Sequence, residues 1–247
     1  MTNTENCGKL IYLPNKTEVE AFAAKDWHDD FIQEGENMNV YVISDTHLKH
    51  SSMETYCQRP PDFTEQIHRN VMNTVKEGDM LIHCGDVGIG KYADWEWMVQ
   101  MWPGRKILVR GNHDRSHSNT WWMEHGFHVS VDSFTFRNVL FTHEPANAII
   151  KSDGHRPYGA LEEGLPLGAE VNVHGHFHNI WDGFHSPERI QRDKELHGID
   201  FTKQLKHKWQ RLFAVEYTDY RPVELQKFLA HPERYQATGP RKENGGL

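Results

Sequence analysis

The chain has 247 residues, 37% of them hydrophobic and 25% charged, which suits one packed core and a globular protein rather than a disordered one. Its formal charge of −8 disfavours tight binding of long nucleic acid, which relies on a surplus of Lys and Arg. No apolar run approaches the roughly 20 residues of a membrane-spanning helix, and the start MTNTENCGKL lacks a signal-peptide pattern. These features imply no membrane association and a cytoplasmic location. Cys7, Cys57 and Cys84 are odd in number and widely spaced, which argues against a disulfide framework or a cysteine-based zinc finger.

Residues 1–39 read as an N-terminal extension, with a helix within TEVEAFAAKDWHDDFIQ. A main domain over 40–231 follows. Its predicted strands are 40–44, 80–84, 106–110, a hairpin over 129–143 turned at Arg137-Asn138, 170–174 and 211–218. Between the first two, Ile67, Val71 and Val75 recur every four residues, so a helix is predicted with Thr64 as its cap and Gly78 at its end. Further helices are predicted over 91–102 and 118–126, with Trp121 and Trp122 in the core. Residues 144–170 form a long connection of the kind that covers a site, and 232–247 read as a flexible tail. Strand and helix alternation predicts an α/β core.

Five predicted strands end in Asp, His or Asn: Asp45 and His47; Asp86; Asn112, His113 and Asp114; His143; and His176 with His178. In an α/β sheet such strand ends converge on the ligand site. So many oxygen and imidazole donors exceed the three or so protein ligands of a lone catalytic zinc, so two cations are expected, with an Asp between them. In an extended chain His174, His176 and His178 share one face about 7 Å apart. His176 and His178 read as ligands, and His174, inside the strand, as a packed neighbour.

The ordered blocks Asp45-Thr46-His47, Gly85-Asp86, Gly111-Asn112-His113-Asp114, His143 and Gly175-His176-Phe177-His178 resemble the calcineurin-like metallophosphoesterase superfamily. SDTHLKH, YCQRP at 56–60 and VEYTDYRPVEL further resemble its small bacterial and bacteriophage branch, in which a phage deoxynucleoside 5′-monophosphatase is similar in size. The resemblance implies a β-sandwich flanked by helices (αββα). It assigns Asp45, His47, Asp86 and His178 to one cation and Asp86, Asn112, His143 and His176 to the other, with Asp86 bridging. It also implies that His113 is the general acid and that Asp114 orients its ring. The donor chemistry fits manganese, zinc, iron, cobalt or nickel, with manganese favoured.

Substrate contacts are expected from Asn112, His50 and Arg59, and from His155 and Arg156 if the 144–170 connection closes as a lid. His83 reads as structural, Arg110 as a strand-end charge, and His117, His125, His128, His185 and His207 as solvated. Three activities compete: a phosphomonoesterase on small esters such as nucleoside 5′-monophosphates, a phosphodiesterase or nuclease, and a metal-stabilised binding protein without turnover. The acidic balance and the resemblance favour the first. The partner is then a small phosphate ester, in the host cytoplasm if the chain is phage-encoded. Oligomeric state has no signal in the sequence.

Overall fold

The computed structural model describes residues 38–146, 168–179 and 209–235, with Leu165, Gln191 and Glu195. The helix expected before residue 39, most of the 144–170 connection with His155 and Arg156, and His185 and His207 lie outside these residues. Strand β1 (Val40–Ile43) is followed by α1 (Met53–Tyr56), α2 (Phe63–Thr74), β2 (Met80–His83), α3 (Glu96–Met101), β3 (Arg105–Val109), α4 (Asn119–Glu124) and β4 (Val129–Val131). Then come β5 (Phe134–Phe136), β6 (Val139–Phe141), β7 (Val171–His174), β8 (Gln210–Leu212), β9 (Val223–Glu224) and α5 (Leu225–Ala230). Among the described residues no helix is long and apolar enough to cross a membrane.

The strands form two mixed sheets flanked by helices, one in the order β4-β3-β2-β1-β9 and the other β5-β6-β7-β8. In the first sheet β1 to β4 run parallel, with Val40 opposite Met80 and Met80 opposite Arg105. Parallel neighbours need crossover connections, which α2, α3 and α4 provide. All four residues of β2 are buried, as expected of a central strand covered on both faces. β9 adds an antiparallel edge, pairing Tyr41 with Glu224 and Val42 with Val223. At two residues it carries no periodicity a sequence could reveal.

The segment 129–136, predicted as one strand, is two strands in different sheets. The alternation V-S-V-D-S-F-T-F slips by one at Asp132-Ser133, where two polar residues in a row move the apolar positions from 129 and 131 to 134 and 136, and that slip marks the crossing between sheets. The hairpin at Arg137-Asn138 is as predicted, with both residues at positive φ (46° and 57°), the conformation that tight antiparallel hairpins require. The strand predicted over 211–218 stops at Leu212, and Val215–Tyr217 is a 3₁₀ turn inside the core.

Helix α2 begins after Asp62 without a side-chain cap. The Thr64 hydroxyl instead accepts the Lys49 N–H at 3.0 Å, tying the loop after β1 to this helix. The helix ends at Thr74 because Val75 turns extended, four residues sooner than Gly78 suggests. Trp122 is buried, whereas Trp121 is half-buried and stacked between the rings of His117 and His125, at 3.7 and 4.0 Å. Those two histidines are therefore packed against the indole and not simply solvated. His128, exposed, accepts the Lys106 N–H at 3.1 Å.

Candidate metal centre

Every predicted ligand sits on a loop just beyond the carboxyl end of β1, β2, β3, β6 or β7. The β1 and β2 loops stay paired past the strands through Asp45 N–H to Gly85 O (2.9 Å) and His47 N–H to Asp86 O (3.0 Å). Gly175 N–H donates to His143 O at 2.9 Å, joining the β6 and β7 loops. Asp45, His47, Asp86, His176 and His178 all have φ between 44° and 72°. This left-handed region costs a non-glycine residue about 1–3 kcal/mol, and Asp, Asn and His are the residue types that tolerate it best. Strain concentrated on five predicted ligands marks these loops as held in place by the fold for a purpose.

Two glycines allow the loops to approach. Gly85 lies at φ 92°, and a Cβ there would meet Gly111 N at 2.5 Å. A Cβ on Gly175 would land on Ser44 Oγ and on Asp45 Oδ2. Only a residue without a side chain lets the His176 N–H reach the Asp45 carboxylate, at 3.0 and 3.1 Å.

Two clusters of donor atoms result, Asp45 with His47 and His178, and Asp86 with His143 and His176. Asn112 joins the second, its Oδ1 lying 3.0 Å from both His143 Nε2 and His176 Nδ1. Asp86 Oδ2 faces both groups, 3.3 Å from His143 Nε2 and 3.5 Å from His47 Nε2. One Asp86 carboxylate oxygen thus lies between the two donor groups.

The electrostatics suit cations. His143 Nδ1 donates to Cys84 O at 2.8 Å, which leaves Nε2 to face the cluster. Burial disfavours charge on Asp86, yet His143 beside it holds the carboxyl well below the usual range. Burial likewise acts against charge on His143 and His178, but the Asp86 and Asp45 carboxylates raise both. Burial, then the neighbouring imidazoles, pushes His47 and His176 well below their ordinary value, so they are neutral and able to ligate. His47 Nε2 is buried without a hydrogen-bond partner. A polar atom in that position lacks what a cation between His47 and Asp86 would supply. The donor set therefore fits two divalent ions, each binding event displacing protons from the Asp–His pairs.

Two predicted roles change. Asp114 does not meet the His113 ring: its Oδ2 accepts Asp86 N–H (2.7 Å) and Gly111 N–H (2.8 Å), and its Oδ1 accepts Val87 N–H (3.0 Å). Burial and the Asp86 charge push its carboxyl up to about 6. It braces the loops after β2 and β3. Arg59 is buried at 3% exposure and reaches no substrate space; its guanidinium is consumed by Glu216 and by the carbonyls of Asp45 and Thr46.

His113 lies at the lip of the two clusters. Its side chain is 43% exposed, Nε2 lies 3.9 Å from Asp86 Oδ2, and its N–H donates to Asp86 Oδ1 at 3.0 Å. His50 is half-buried, with Nδ1 3.3 Å from His47 Nδ1 and its ring 6.5 Å from that of His113. His174 is fully buried against Gly175 O, as expected of a packing residue. His83 is structural too: Nδ1 accepts Gly85 N–H at 3.1 Å, so Nε2 carries the proton toward Thr46 Oγ1 at 2.9 Å. Arg110 braces the loop after β3, donating to His117 O and pairing with Asp132.

Glu216 and Ser44 escaped the sequence reading. Glu216 Oε1 lies 3.3 Å from His178 Nδ1, and Ser44 Oγ donates to Asp45 Oδ2 at 2.6 Å. A charged residue within the apolar run LFAVEY was the available signal for Glu216.

The profile of the calcineurin-like phosphoesterase superfamily domain matches residues 38–195. The chain belongs to this superfamily. An uncharacterised protein of Methanocaldococcus jannaschii is 29% identical over 82 residues, 31% of this phosphoesterase-family chain and 47% of the relative, so the match spans about half the relative's length. A crystal structure of a protein of unknown function from Aquifex aeolicus superposes with a TM-score of 0.53 at 22% identity, covering 78% of this chain and 98% of the other. That likeness concerns the fold alone.

Proposed function

We propose that the chain is a two-metal phosphoester hydrolase acting on small phosphate monoesters, with (deoxy)nucleoside 5′-monophosphates as the substrate class and manganese as the favoured ion. Superfamily membership and the two facing Asp–His clusters support the hydrolase, and the net charge of −8 supports a small ester over a polynucleotide. Asp45, His47 and His178 would hold one cation and Asn112, His143 and His176 the other, with Asp86 shared. The chemistry that the bound cations supply is an acidified water and positive charge against the phosphoryl oxygens.

The observation that carries the reading is the contrast between His113 and the histidines and aspartates of the two clusters. Those are buried or half-buried, while His113, with the exposed Asn112 next to it, stands open at the lip beside Asp86, where a leaving oxygen can receive its proton. His50 lines the same lip and can donate a hydrogen bond to the ester. Metal-stripped protein resupplied with manganese should release inorganic phosphate from deoxynucleoside and ribonucleoside 5′-monophosphates, and should leave cyclic nucleotides, a bis-aryl phosphate and short single-stranded DNA intact. Cleavage of the diesters alone would replace the reading with a phosphodiesterase, and no turnover of either class would leave a binding protein.

A further inference from the structure

Arg59 and Glu216 stand 157 positions apart in sequence and meet beneath the metal centre, their side chains 0% and 4% exposed. Glu216 Oε1 accepts from Arg59 Nε at 2.9 Å and from Nη2 at 2.7 Å. Two further donors of Arg59 go to the backbone of the first ligand loop, Nη1 to Thr46 O at 2.9 Å and Nη2 to Asp45 O at 2.7 Å. The same Glu216 oxygen lies 3.3 Å from His178 Nδ1.

The donor inventory fixes the His178 tautomer. Nη2 carries two hydrogens, and two oxygens at 2.7 Å take both. It therefore has none left for His178 Nδ1 at 3.4 Å, so Nδ1 donates to Glu216 and Nε2 is left to face Asp45 at 3.6 Å. Cys57, His178 and Glu216 also cluster closely enough to suggest a cation of their own. The Arg59 guanidinium already sits on the Glu216 oxygen, and a second cation would be forced against it.

A buried ion pair contributes little net stability, because desolvation offsets the attraction. The hydrogen bonds just described go to the loop of Asp45 and His47 and to the ring of His178, all on one of the two donor clusters. From this geometry we infer that Arg59 and Glu216 are a positioning pair for one of the two cations, the one held by Asp45, His47 and His178. A carboxylate on the non-ligating nitrogen of a ligand histidine fixes ring orientation and raises basicity, an effect of about 10–100-fold in metal affinity.

The inference rests on the assignment of those three residues to one cation. The test is calorimetric titration of the metal-stripped full chain with Mn²⁺, with ion content measured after desalting, for the parent, Glu216→Gln and Arg59→Lys. The parent should take two ions. Each variant should hold one with unchanged affinity and bind the other about 10–100-fold more weakly, and the spin-coupled manganese-pair signal in electron paramagnetic resonance should disappear at one equivalent per site. Two ions of parental affinity in a folded variant, or equal weakening of both, would overturn the positioning role. A parent chain that binds fewer than two ions would overturn the ligand assignment itself. If Glu216→Gln does not fold, Arg59→Lys carries the same comparison, because it keeps the charge while losing the fork to Asp45 and Thr46.

Discussion

Asp114→Asn separates two roles for a residue that sequence pairs with the general acid and structure pairs with the backbone. The Asp114 carboxylate accepts three N–H groups, two on one oxygen at 2.7 and 2.8 Å and one on the other at 3.0 Å. An amide offers one carbonyl edge. With that edge on Asp86 and Gly111, the NH₂ group faces the Val87 N–H, and a buried donor left unsatisfied costs about 1–3 kcal/mol. For a domain of this size 1 kcal/mol moves the melting temperature by about 2–4 °C, so a fall of about 2–12 °C is expected. The measurement is thermal unfolding at pH 8, where the parent carboxyl is ionised, combined with hydrolysis of aryl and alkyl phosphates. Weaker stability with an unchanged aryl-to-alkyl rate ratio follows from a bracing role, since His113 is untouched. Parental stability with selective loss of the alkyl ester would refute the reasoning and restore Asp114 as the partner of His113.

His113→Ala should retain both metals while slowing esters with poor leaving groups by about 10²–10⁴, with a smaller effect on aryl esters that need no proton; metal analysis and initial rates check it. Asp86→Ala removes the only oxygen facing both clusters among the described contacts, so the paired metal centre and turnover should both be lost, and a fully loaded, active variant would contradict the bridge. His83, neutral and buried, is pushed down to about 3 from an ordinary 6.5, chiefly by burial. A depressed histidine stabilises the fold above pH 6.5, and this contribution fades as pH falls toward 3. His83→Gln should be destabilised at pH 7, and the gap to the parent should narrow by about 1.4 kcal/mol per unit between pH 6.5 and 5 in urea titrations. A gap independent of pH would mean that His83 is not held neutral.

Sequence carried the family, the alternating core and the ligand loops, because local features specify them. β-Branched runs that stop abruptly at Asp or His mark strand ends, and in a parallel sheet those ends share one edge. The convergence of the seven candidate ligands was legible for the same reason: each lies within five residues of a strand terminus, so strand order alone brings them together. What sequence could not decide is which neighbour a side chain meets across the fold. Asp114 stands next to His113 in the chain, but the left-handed turn at Asp86 brings two N–H groups to its carboxylate, those of Asp86 and Val87, and Gly111 in its own loop supplies a third. Arg59 looked like a phosphate contact by charge, and tertiary packing buried it against a glutamate 157 residues away. The slip in alternation at Asp132-Ser133 marks a break in the strand, but which sheet each half joins is decided by its distant partners, β3 for one and β6 for the other. Periodicity and residue type report burial and donor chemistry one position at a time; pairing between distant positions is set only when loop closure and packing decide which buried donor reaches which acceptor.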